Sequence, residues 1–167
     1  MTTDPLATII GLLNDGSTGL NTTGYEIYED NGSTECTLLV TYKLAKEKLT
    51  AIFGGTQDVD VIITVEAGEG PTDWIGFSTQ VHTLPVIITV HVIEKHSATG
   101  SANKIITPEL VRWKAFDILS KFIDANVASP GGNILTWEHT GQRTEEDMSV
   151  RPIIYKYIIE TECKVVR

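Results

Sequence analysis

Apolar positions recur along this chain with two periods, and the change from one to the other orders its elements. Leu6, Ile9, Ile10 and Leu13 share one helical face behind Asp4-Pro5, a capping residue followed by a first-turn proline. Asn14-Asp15-Gly16 ends that helix. Residues 15–24 are rich in Gly, Ser, Thr and Asn and read as a loop or lead-in arm. Period-two patterns follow. Residues 25–28 predict a short strand, with the turn Glu29-Asp30-Asn31-Gly32 behind it. Cys36, Leu38, Val40 and Tyr42 line one strand face, as do Val59, Val61, Ile63 and Val65. Between these strands, Leu44, Ala45, Leu49, Ile52 and Phe53 fit a short helix stopped by Gly54-Gly55, and the pattern leaves strand open as well.

Residues 74–81 predict a further strand, and residues 84–94 a central one. Val86, Ile88, Val90 and Val92 are apolar on one face, while Ile87, Thr89, His91 and Ile93 occupy the other, which places cover on both sides. Pro85 is expected near the start of this strand, because proline donates nothing to the ladder. Residues 96–103 are small and polar and predict an exposed excursion. Thr107-Pro108-Glu109 then opens the main helix, which runs to about Ala125 or Val127. At ~100° per residue, Val111, Ala115, Ile118, Leu119, Phe122 and Ala125 form its packed face. Ser129-Pro130-Gly131-Gly132 ends it. The tail predicts a hairpin: a strand over 133–139, a polar loop over 140–149 and a long alternating strand over 151–166, packed through its odd positions.

The order α, several β, long α, β, β predicts an α+β domain. Its sheet is antiparallel or mixed, with an N-terminal helix and one long helix across a sheet face. Residues 1–167 read as a single domain, with 15–24 and 96–106 as flexible arms or loops. The length of 167 residues suits that reading. Composition narrows the function. The net charge of −9 argues against gripping nucleic-acid backbone or docking on an anionic membrane. No apolar run approaches the ~20 residues of a membrane-spanning helix, and the N-terminus lacks the positive start of a signal peptide. Cys36 and Cys163 fall on apolar strand faces and read as buried free thiols.

Candidate chemistry is sparse. His82 and His91 lie an odd number of residues apart, so one uninterrupted strand points them to opposite faces. His96 and His139 belong to no metal-binding spacing. The chain has no nucleophile elbow and no phosphate-binding glycine motif. No catalytic residue, metal ligand or cofactor is therefore expected. The run Glu145-Glu146-Asp147 reads as a solvated loop. One residue stands out. Trp113 falls on the polar side of the main helix with Lys114, Asp117, Ser120, Lys121 and Asp124. Either another segment of the chain covers it, or it is a subunit contact. Trp74 raises the same question.

The N-terminal helix, the strand beginning Leu84-Pro85-Val86-Ile87-Ile88-Thr89-Val90, the polar loop, the long helix and the final Arg151-Pro152-Ile153-Ile154-Tyr155-Lys156-Tyr157-Ile158-Ile159-Glu160 occur in a telling order. That arrangement resembles the tail terminator, or tail completion (neck), proteins of long-tailed phages and related archaeal viruses. The resemblance covers about residues 6–166. It implies a non-enzymatic virion protein, assembled in the host cytoplasm, that forms a six-fold ring on the last ring of the tail tube. Its partners would be copies of itself, the tube protein and a head–tail connector or stopper protein, with DNA only passing through the lumen and no membrane contact. Contact residues are expected at Trp113, Lys114 and Lys121 on the outer helix face. The loops bring His96 and Asn103, and Glu145 and Glu146, and the segment before the central strand brings Trp74. The alternatives are a tail tube or head–tail connector subunit, or a small-molecule binding module.

Overall fold

Strand β3 (Val81–Val92) carries the two-sided apolar pattern, and it lies third in a six-stranded sheet ordered β1-β2-β3-β8-β7-β6. The computed structural model describes residues 4–55, 58–69, 81–97 and 104–166. In chain order these form α1 (Pro5–Leu13), β1 (Leu38–Tyr42), α2 (Lys46–Phe53), β2 (Val61–Ala67), β3, β4 (Lys95–Ser97), β5 (Lys104–Ile106), α3 (Pro108–Ala125), β6 (Ala128–Gly131), β7 (Ile134–Asp147) and β8 (Ile154–Val166). Strand β1 runs parallel to β2, and α2 is the crossover between them. Every other pairing is antiparallel, so the sheet is mixed and the fold is α+β.

The inner face holds the main core. Val61, Ile63 and Val65 of β2, Val86, Ile88, Val90 and Val92 of β3, and Ile159 and Cys163 of β8 are buried against α1 and α3. α1 touches β1 and β2 at one end of the strand order and β6 at the other. Thr8 lies over Gly131 there, with its methyl 3.6 Å from where a Cβ would stand. The sheet therefore curls until α1 bridges its two ends. Asp4 caps α1 as its sequence predicts, accepting from the Leu6 N–H at 3.0 Å. On the outer face a second core joins Leu49 and Phe53 of α2 to Ile62, Ile93 and Ile154. The ambiguous segment is thus helix, capped by Gly54. The inner face of β3 is covered, while its outer face is buried only at Thr89 and His91 and half-buried at Thr83, Pro85 and Ile87.

Several details differ from the sequence expectations. Pro85 lies inside β3, not near its start, because the strand begins at Val81. It is tolerated because β2 has ended there: the last register pair is Ala67 with Val86, and the Pro85 carbonyl accepts from Gly68 at 2.8 Å. In an antiparallel strand a residue's N and O point the same way, so the missing donor faces the end of β2 and not β8. The expected strand at 25–28 is reduced to one bridge, Tyr28 with Glu35, across the predicted turn. Residues 15–24 take the loop alternative of their expected loop or arm, as a run of closed turns. Asp15 accepts from Ser17 and Thr18, and a Cβ on Gly19 would stand 2.6 Å from the carbonyls of Leu13 and Asp15, so only glycine fits. The excursion expected at 96–106 is at its ends a ladder, with His96 opposite Ile105 and Ser97 opposite Lys104. Residues 98–103, and residues 74–80 of the expected strand, lie outside the described residues.

That ladder is clamped to the domain by charge. Lys95 Nζ lies 3.1 Å from both Asp58 and Asp60, and Lys104 Nζ lies 2.7 Å from Asp58 and 2.9 Å from Asp60. Asp60 is fully buried and also accepts from the Thr37 N–H at 2.8 Å. Glu29 is buried beside them, 4.0 Å from Lys104. Burial, and then the Asp60 charge, raise its pKa above the ordinary 4.5. A raised carboxylate stabilises the fold below its unfolded pKa and loses that contribution as pH rises through the folded value. Glu29→Gln is therefore expected to raise the melting temperature at pH 7 and to have no such benefit near pH 4, as read by thermal melts at the two pH values.

Candidate assembly interface

Helix α3 is built from a first-turn proline, an early acid and an apolar stripe, but its N-terminus is capped from outside. The Thr107 side chain makes no cap. Its hydroxyl donates to Asp30 at 2.6 Å, and its N–H donates to the same carboxylate at 3.0 Å. The Asp30 charge thus stands at the positive end of the helix dipole. The buried stripe is Val111, Arg112, Ala115, Leu119, Phe122 and Ile123. Ala125, expected on the packed face, is exposed, and Ile118 is half-buried. Ile123 takes that place, because the stripe follows positions 111, 115, 119, 122 and 123 around the helix.

Arg112 anchors this helix to the strands. Its guanidinium donates to Glu109 at 2.9 Å and to the Lys156 carbonyl at 3.3 Å, lies 4.0 Å from Glu146, and sits 5.7 Å above the Tyr155 ring. A guanidinium so placed satisfies its donors in a fixed fork, which a lysine could not do.

Beside it runs an aromatic row that reaches the surface. Phe116 stacks on Tyr157 of β8 with centroids 4.4 Å apart, and Trp113 lies 5.5 Å from Phe116 and 6.3 Å from Tyr157. His139 of β7 adjoins Phe116 at 6.0 Å. The row covers one side of Trp113 and leaves 55% of the residue exposed. Leu110, one turn earlier, is also exposed. Leu110 and Trp113 line a groove of about 470 Å³ whose far wall is Thr144 and Tyr157.

The strand along that groove is the largest departure from the sequence expectation. Residues 140–147, expected as loop, continue β7 in register with β8 from Gly141 opposite Glu160 to Asp147 opposite Ile154. Backbone pairing to β8 suffices to make the strand, so it needs no apolar alternation of its own. Strand β6 pairs with β7 only from Ala128–Thr136 to Gly131–Ile134. Ser129-Pro130-Gly131-Gly132 is therefore a short edge strand and its turn, not merely the stop of α3. Beyond Trp137, β7 has no second neighbour among the described residues. Its edge from 138 to 147 is unpaired and polar.

The expected contact residues fall in different places. Trp113 lines this groove, and Glu146 lies on the inner face of β7, 4.0 Å from the groove residue Arg112. Glu145 points to the outer face, 3.2 Å from Arg143. Lys121 is exposed about two turns further along α3. Lys114 is not on the outer face: it is half-buried, and its Nζ donates to the Glu29 carbonyl at 3.1 Å. His96 is exposed in β4, 3.6 Å from Glu94, in the separate ladder. Trp74 and Asn103 lie outside the described residues. Sequence reasoning missed Leu110, Phe116 and Tyr157, although Leu110 stands three positions before Trp113 on the same helical face.

The remaining reactive groups are buried. Cys36 and Cys163 are free thiols whose pKa burial pushes up to about 12, so neither is a thiolate near neutrality. His82 and His91 lie on opposite faces of β3, as their spacing predicts, and both are buried. Among the described residues no three His, Cys, Asp or Glu side chains are grouped to hold a metal ion. No family model matches the chain, and no curated protein matches it.

Proposed function

We propose that this chain is a structural subunit that joins copies of itself into a closed ring, and that the ring ends a viral tail tube and links it to the head. One observation carries the reading: a solvent-exposed tryptophan groove lies directly beside a strand edge, ten residues long, that pairs with no strand among the described residues. A ring needs two different surfaces that meet head to tail and close by rotation. Tryptophan in a pocket supplies the contact energy, and a polar strand edge supplies direction and register. The charges on that edge, Glu138, Arg143, Glu145 and Asp147, discourage pairing with unrelated strands. The neighbours of such a ring would be the tube protein on one side and a connector or stopper protein on the other. A protein of net charge −9 around a DNA channel would repel the phosphates and leave the DNA free to slide. The role calls for no covalent chemistry and no cofactor.

Trp113→Ala is expected to weaken self-association by about 30-fold or more, as for an interface tryptophan worth about 2 kcal/mol. Folding stability should change by no more than about 1 kcal/mol, since the residue is half exposed. Sedimentation across a wide concentration range, with urea melts of both proteins, reads the two effects. Unchanged association, or an unfolded variant, would count against the groove. Filaments of unlimited length from the purified chain would instead identify a tube subunit.

A further inference from the structure

The outer face of the sheet, opposite α3, holds a cleft of about 230 Å³, separate from the tryptophan groove but sharing Arg143, Glu145 and Asp147 with the strand edge. Its floor is Thr64 of β2, Thr89 and His91 of β3 and Ile158 of β8, all buried. Its rim is charged. Lys43 pairs with Glu66 at 2.7 Å, Lys46 with Asp147 at 3.2 Å, and Arg143 with Glu145 at 3.2 Å and with Glu160 just outside the cleft. Lys156 is the remaining rim cation. It stands in register between His91 and Glu145, and its ammonium has no salt-bridge partner among the described residues.

We propose that this cleft binds a small oxyanion, with Lys156 as its counter-charge and the His91 imidazole as a hydrogen-bond donor at its floor. His91 is 95% buried, since only 5% of it is exposed. Its Nε2 lies 2.9 Å from the Thr64 hydroxyl, while its Nδ1 has no hydrogen-bond partner. With the Thr64 hydroxyl donating to Nε2, the ring proton sits on Nδ1 as an unused donor. A buried donor without an acceptor is costly, and an oxyanion supplies the acceptor that the protein does not. The rim carboxylates each hold a cation already, so the one uncommitted charge in the cleft is positive. Phosphate and carboxylate groups share the chemistry this site selects. Nδ1 is covered, so an anion reaches it by displacing side chains at the rim.

The test is a titration of the full chain, labelled with ¹⁵N-histidine, with inorganic phosphate and separately with acetate, at constant ionic strength set by chloride. A saturable shift of the His91 ring nitrogens with either anion is expected, and which anion produces it identifies the source. Lys156→Met, on the half-exposed rim, should raise the midpoint at least tenfold without lowering the melting temperature. Lys121→Met, on the far side of the sheet, should leave it unchanged. No saturable shift with either anion, a shift that chloride alone reproduces, or an unaltered midpoint in Lys156→Met would each overturn the proposal.

Discussion

Trp137→Ala is expected to cost about 3–5 kcal/mol of folding stability, the range for truncating a fully buried aromatic side chain. Trp137 is entirely enclosed in the inner core, edge-on to Phe122 of α3 with centroids 6.3 Å apart. Its indole N–H donates to the Thr161 hydroxyl at 3.0 Å, and that hydroxyl donates to the Val86 carbonyl at 2.8 Å. This relay ties β7 through β8 to β3. Alanine removes the packing and leaves a cavity between α3 and the sheet. Thr161 keeps its bond to Val86 and loses only the indole donor, so the packing loss dominates. A domain of this size has about 5–15 kcal/mol in all, so the variant should sit near the edge of folding. Trp137→Phe keeps most of the volume and drops the N–H, and should cost clearly less. Urea denaturation of the three proteins gives the comparison. An alanine variant within 1 kcal/mol of the parent would mean that α3 is not seated on β7 as described.

The second large effect is on acid stability. Burial, reinforced by the nearby Lys156 charge, lowers the His91 pKa from 6.5 to about 3. Its folded value lies below its unfolded one, so the unfolded chain binds the proton more tightly. The neutral imidazole is then no burden above pH 6.5, and stability falls as the pH drops from there towards 3. By pH 4 the penalty from this one group is about 3 kcal/mol. The carboxylates around the cleft are Glu66, Glu145, Asp147 and Glu160. Asp147, held down to about 2 chiefly by its hydrogen bond from Ser149, contributes its own loss only below pH 4. His91→Gln should flatten the stability profile between pH 6.5 and 4, as measured by denaturant midpoints at each pH. A profile as steep as that of the parent would show that another group sets the acid limit.

Much of this fold was legible because local chemistry and tertiary structure agreed. Asp4-Pro5 and Thr107-Pro108-Glu109 place α1 and α3, and the two-sided apolar run after Pro85 places the central strand. Every odd position of β8 from Tyr157 to Val165 is buried, as alternation requires, and Ile158 is buried on the opposite face as well. What was not legible depends on partners distant in the chain. The polar half of β7 is strand only because β8 supplies its hydrogen bonds, and no periodicity records that. Asp60 looks like any acid before a strand, yet two lysines some 35–45 positions away make it a buried clamp. Lys114 has the helical position of an exposed residue, and the turn at Glu29 folds back to claim it. For the candidate interface, Trp113 could be picked out as a tryptophan on a polar helix face. The groove it lines needed Tyr157 and Thr144, which only the sheet brings beside it.

The ring-subunit account is tested most directly by immunogold electron microscopy on tailed particles released by the cells that carry this gene, with an antibody raised against this chain. It predicts label at one point per particle, the junction between head and tail. Label along the whole tail would make the chain a tube subunit, and particles without any label would contradict the account.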